Sequence, residues 1–182
     1  MKTIVKYLLI VNVIFFTTHS FANVFSAVGY EYSSNEFSAQ TNKISVNFNS
    51  VYVSVGYLIK LSDDITLVPE VSLGKGLGKD EVSGFRYGGD LLGKEEISLD
   101  TSVNISTSVQ YQTEYPLYTF ASIVYSKVDY KGELTKSDLY SDSSFGIAAG
   151  MGYNQIKDLD VLLTASSVEK RKSLKLGIRY HF

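Results

Sequence analysis

The sequence predicts an all-β chain folded as an eight-stranded antiparallel up-and-down transmembrane β-barrel. Three observations carry this: two-residue alternation in several segments, small polar residues opposite the apolar ones, and alternate connections of unequal length. Segment 97–111 sets Ile97, Leu99, Val103, Ile105, Val109 and Tyr111 on one face against Ser98, Asp100, Ser102, Asn104, Ser106, Ser108 and Gln110 on the other. A period of two belongs to a strand, whose successive side chains leave opposite faces. A strand facing bulk water usually carries Lys and Glu, whereas small hydroxyls suit a narrow enclosed space. Lipid offers no partner to backbone N–H and C=O groups, so strands that cross it close into a barrel with the apolar face outward.

The N-terminus reads as a secretory signal peptide over 1–22: Lys2 and Lys6, an apolar run over 7–16, then Ser20-Phe21-Ala22 with small residues where signal peptidase cuts. Ten apolar residues fall well short of the roughly 20 that a spanning helix needs. Cleavage leaves residues 23–182 as one barrel domain, and it moves the formal charge from −2 to −4 by removing the two lysines. That mildly acidic balance has no basic block, so nucleic-acid binding has no support. There is no cysteine, hence neither a disulfide framework nor a lipidated cysteine.

Eight strands are expected near 23–33, 44–61, 65–76, 96–112, 117–130, 143–154, 158–168 and 172–182. The second opposes Val51, Val53, Val55, Tyr57, Ile59 and Leu61 to Ser50, Tyr52, Ser54, Gly56, Leu58 and Lys60. The sixth sets Phe145, Ile147, Ala149 and Met151 against a glycine-rich face, and the eighth sets Leu174, Leu176, Ile178, Tyr180 and Phe182 against Lys175, Gly177, Arg179 and His181. In the fifth, the Tyr118-Phe120-Ser122-Val124 face competes with Thr119-Ala121-Ile123-Tyr125, and the pattern leaves both open. Pro69 falls inside the third strand, where a missing N–H normally marks an edge or a bulge; Ile65, Leu67, Val71 and Leu73 keep the alternation around it.

Short connections at 62–64, 113–116 and 155–157 alternate with longer segments at 34–43, 77–95 and 131–142, and only 169–171 breaks the rule. Outer-membrane barrels show this asymmetry, with short periplasmic turns and long outward loops. An even strand count then puts both termini on the periplasmic side. Tyr30, Tyr32, Tyr57, Tyr111, Tyr153, Tyr180 and Phe182 lie near strand ends on the apolar face, where rings suit the headgroup level.

These residues together resemble the small eight-stranded outer-membrane barrels of Gram-negative bacteria, the OmpA-like transmembrane, OmpX/Ail or opacity-type porin family. The resemblance rests on the leader ending at Ala22, on Asp64-Ile65-Thr66-Leu67-Val68-Pro69-Glu70-Val71-Ser72-Leu73-Gly74, on 146–153, and on the ending Leu176-Gly177-Ile178-Arg179-Tyr180-His181-Phe182. It covers the whole segment after the leader, and its motifs are architectural. It implies an outer-membrane location and contact with outer-membrane lipid and lipopolysaccharide. It also implies assembly by the barrel-assembly machinery, with Tyr180 and Phe182 as the terminal signal.

Catalysis finds little purchase. After the leader the chain has a single histidine, His181, expected at the periplasmic rim, whereas acid/base or triad chemistry needs an imidazole beside a nucleophile. One histidine and no cysteine leave only sparse carboxylates for a metal, so neither metal nor cofactor is expected. Gly74, Gly76 and Gly78 with Lys75 and Lys79 lack the order of a phosphate loop. Glu31, Lys60, Glu70, Asp100, Lys175 and Arg179 are expected to face inward as a polar network, with Glu70 paired to Lys175 or Arg179. An eight-stranded interior is just wide enough for side chains to fill it, so such charges must pair. The expected function is a non-enzymatic outer-membrane barrel with surface-exposed loops, structural or in surface interaction or adhesion. Phe85, Arg86 and Tyr87 of the second loop are the candidates for contact with a host or cell-surface ligand. Two alternatives stand beside it: a small porin passing ions or small solutes, and a soluble periplasmic lipocalin-like binding barrel.

Overall fold

The computed structural model describes residues 23–39, 42–87, 90–132 and 138–182, with side chains for 23–36, 45–81, 96–132, 141–154 and 156–182. The expected signal peptide lies outside the described residues. Ten strands follow in order: β1 (Val24–Ala39), β2 (Asn42–Tyr57), β3 (Ile59–Lys60), β4 (Ile65–Gly76), β5 (Lys79–Tyr87), β6 (Asp90–Gln112), β7 (Leu117–Gly132), β8 (Asp138–Ile156), β9 (Leu159–Val168) and β10 (Arg171–His181). β3 prolongs β2 along β4, and β5 prolongs β4 along β6, so ten strands make eight staves. Every pairing is antiparallel, and the ring closes where β1 meets β10, from Phe25 opposite His181 to Asn35 opposite Arg171. Closure satisfies the backbone within the ring without solvent, as a lipid environment requires.

Parity along each stave decides what lipid meets. Val28, Val53, Leu73, Ile123, Ile147, Leu176 and Ile178 point outward and are exposed. In water so wide an apolar surface would be an aggregation site; in a bilayer it is the solvated face. Glu31, Ser33, Ser50, Ser54, Ser72, Asn104 and Ser126 point inward and are buried. β7, ambiguous in the sequence, turns Tyr118, Ser122, Val124, Ser126, Val128 and Tyr130 inward and Ile123 outward.

Five expectations need correction. Segments 34–43, 77–95 and 131–142, read as loops, are largely strand, because the hairpins run on past the apolar band where polar residues interrupt the alternation without breaking the ladder. Asp100, expected in the lumen, lies outside. The β6–β7 register shifts between Leu99 and Thr101, and Asp100 is the extra residue of that β-bulge, paired outside with Lys75 and, at 2.9 Å, with Lys131. A bulge reverses which parity faces in, so Ile97 and Leu99, read as lipid-facing, are buried within. Tyr57 is buried rather than outward, and Lys60, also expected inside, is exposed on β3 at the periplasmic rim.

The last correction has a local cause. The β2–β4 register brings Tyr57 opposite Pro69, which has no N–H to give; the ladder stops at Gly56–Glu70 and resumes at Ile59–Leu67. On the other side the ladder with β1 runs on, the Leu58 N–H reaching the carbonyl of Asn23 at 2.9 Å.

Candidate functional site

The lumen is filled in three layers. At the outer end Val46, Phe48, Ile97, Leu99, Val128 and Tyr130 form an apolar cluster, with the Phe48 and Tyr130 rings 5.3 Å apart. The middle is lined by Ser72, Ser106, Ser108, Ser122, Thr164 and Ser166 around a cavity of about 70 Å³. Ser108 and Ser122 pair across β6–β7 at 2.7 Å, and Ser166 and Ser173 across β9–β10 at the same distance. Toward the periplasm lies a layer of charges and rings.

Arg179 organises that layer. Its guanidinium lies 3.8 Å from the Glu70 carboxylate on β4 and 3.7 Å from Asp160 on β9, and its centre stands 4.1 Å over the Phe25 ring. One Nη donates to the Tyr118 hydroxyl at 3.3 Å, while that hydroxyl donates to Asp160 Oδ2 at 2.8 Å. His181 Nε2 meets the same oxygen at 2.8 Å, and its ring tilts against Phe25 at 6.2 Å. One turn of the wall further out, Lys175 pairs with Glu31 at 3.5 Å and lies over the Tyr52 ring. Held this closely within a narrow lumen, the opposite charges offset the cost of their desolvation.

Glu31, Glu70, Lys175 and Arg179 therefore meet in the lumen, whereas Lys60 and Asp100 do not. Three further members were missed: Asp160, Tyr118 and Arg171. Arg171 spans the lumen, donating to Asn104 Oδ1 at 3.2 Å and Ser126 Oγ at 2.7 Å. Its signal was present, since Arg171 shares the parity of Lys175 and Arg179, but a strand begun at 172 left it in the turn.

Among the described residues the side chain of His181 meets a carboxylate and a ring, and no serine hydroxyl lies within hydrogen-bond reach of it. Among the described residues no three His, Asp or Glu side chains gather as a metal ion would require. An apolar cluster seals one end and stacked, ion-paired groups the other. Protein refolded into planar bilayers is accordingly expected to pass no steady current; a stable open level would show that one of the two plugs moves.

Tyr180 and Phe182 stand edge to face at 5.2 Å on the outer surface of the periplasmic end, and the Phe182 N–H reaches the Val24 carbonyl. Phe85, Arg86 and Tyr87 fall on the backbone of β5, and their side chains lie outside the described part of the structure. Just beyond the apolar band a ring of outward ion pairs, Lys75 and Lys131 with Asp100 and Lys79 with Glu96, marks the polar boundary.

This architecture defines an outer-membrane β-barrel protein with the fold of the small eight-stranded barrels. Among solved structures, neisserial surface protein A superposes with a TM-score of 0.59 at 16% identity, over 87% of this chain and 97% of its own. Ail, the attachment invasion locus protein of Yersinia pestis, superposes with a TM-score of 0.54 at 11% identity, over 90% of this chain and all of its own (100%). No family model matches the chain, and no curated protein matches its sequence. The likeness is one of fold.

Proposed function

We propose that the chain is a non-enzymatic surface-interaction protein that engages a partner through the outward hairpins β1–β2 and β5–β6. The observation that carries this is an open slot between them. Among the described residues the β2–β4 ladder covers Ser50 to Gly56, the outer half of β2 shares its ladder with β1, and β5 shares its ladder with β6. At the base of the slot the Leu77 N–H reaches the Asn49 carbonyl at 2.8 Å, and the Asn47 N–H reaches the Asp80 carboxylate at 3.0 Å. Above these contacts both strands offer backbone edges, and an unpaired edge is a template for an extended peptide. Asp80 blunts the slot with charge, which favours a specific partner over self-association. The names of the two similar barrels, a surface protein and an attachment protein, accord with this reading.

Odd-numbered residues of β2 turn their backbone groups toward the slot, as the Asn47 and Asn49 contacts show. Ser45→Pro therefore removes a slot-facing N–H and leaves the ladder with β1 intact. Bacteria displaying Ser45→Pro, or a barrel with 83–92 replaced by a tight turn, are expected to lose most of their attachment to host cells at equal surface display. Attachment equal to that of the unaltered protein would refute the edge as the contact.

A further inference from the structure

We infer that the barrel carries a lipid-binding groove on its outer surface, which seats the acyl chains of one lipid A molecule and holds a phosphate on Lys172. The groove runs from β6 across β7, β8, β9 and β10 to β1 and has a volume of about 1080 Å³. Two adjacent ladder rows shape it. In one, Ala121, Ala149 and Ala165 stand side by side and lead to Leu174 and Tyr32. In the next row outward, Ile123 and Ile147 rise as a wall and lead to Ser167 and Lys172. Three methyl groups beside bulky isoleucines, a leucine and a tyrosine leave a channel with an apolar floor.

The identity of the occupant follows from charge and level. Lys172 lies one residue inside the outward end of β10, so the groove opens into the outer leaflet. Among the described residues no carboxylate stands within ion-pair distance of Lys172, whereas the outward Lys75, Lys79, Lys127 and Lys131 each have one. A lone cation at the head of an apolar channel complements an anionic headgroup over acyl chains. In the outer leaflet of an outer membrane that lipid is lipid A. A second copy of the chain fits worse. Copies share one orientation in the membrane, so a two-fold pair across the groove would bring two Lys172 side chains to one height with no carboxylate in the lining to offset them.

The test is native mass spectrometry of the protein purified from outer membranes in detergent and titrated with lipid A, with folding of every variant checked by heat-modifiable gel mobility. The unaltered protein is expected to retain one lipid A. Lys172→Gln is expected to weaken retention about five-fold. Ala149→Phe with Ala165→Phe, which fills the channel and keeps the lysine, is expected to weaken it as well, and Lys127→Gln is expected to leave it unchanged. Equal retention across the variants would overturn the groove, and equal retention of dephosphorylated lipid A would overturn the phosphate contact. A dimer dispersed by the double phenylalanine variant would assign the groove to a second copy and overturn the lipid reading. None of these outcomes bears on the hairpin slot, whose facing edges belong to β2 and β5.

Discussion

Arg179→Ala is expected to lower the unfolding free energy of the barrel by about 3 kcal/mol, the scale on which removing one partner strands a buried charge. The side chain is nearly sealed from solvent and stands between Glu70 and Asp160, so its loss leaves two carboxylates facing each other across the lumen. It also takes away the donor to Tyr118 and the cation over Phe25. The chain has no tryptophan, so urea unfolding in lipid vesicles is best followed by far-UV circular dichroism. The informative comparison is Arg179→Met with Asp160→Leu. When both sides of a buried pair become apolar, most of the penalty disappears, so the double variant is expected to be more stable than Arg179→Ala. A double variant as unstable as the sum of its parts would mean that Arg179 and Asp160 carry no coupling energy and that the pair is not what the single substitution breaks.

Gly29→Val is expected to cost about 3 kcal/mol or more and to abolish the compact band in unheated gels. A Cβ at Gly29 would come within 2.3 Å of the Leu176 carbonyl oxygen and 2.7 Å of the Tyr52 ring. The carbonyl belongs to the β1–β10 closure and cannot withdraw without opening it. Gly177 lies opposite Gly29, and its nearest obstacle is the Tyr52 hydroxyl at 2.3 Å, the free end of a side chain. Gly177→Ala should therefore be tolerated far better, because the ring can swing where a backbone cannot. Equal damage at the two sites would show that Tyr52 is fixed as firmly as the wall itself.

Much of this fold was legible in the sequence because lipid and a narrow lumen impose opposite demands on alternate residues. Ser102, Asn104, Ser106 and Ser108 against Val103, Ile105 and Val109 can satisfy both only as a barrel stave. Parity fails at a bulge, and Leu99-Asp100-Thr101 bears no compositional sign that one residue is inserted there. The outward hairpins were missed for a related reason: beyond the bilayer nothing enforces an apolar face, so 34–43 and 77–95 read as polar connection while the ladder continued. Lumen charges on well-marked strands, Glu31, Lys175 and Arg179, could be found by counting in twos. Arg171 was hidden by a strand begun one residue late at 172, and Asp160, inside the expected strand 158–168, by the apolar Leu162 and Val168 that share its inward face.

A cylinder tears from a gap in its lacing. Eleven unbroken pairs tie β1 to β10, whereas between the second and third staves seven pairs are followed by a missing stitch at the proline opposite Tyr57 before two more resume. Pulled apart sideways, the joint that brings the two ends together offers no such starting point, and the one between the second and third staves does.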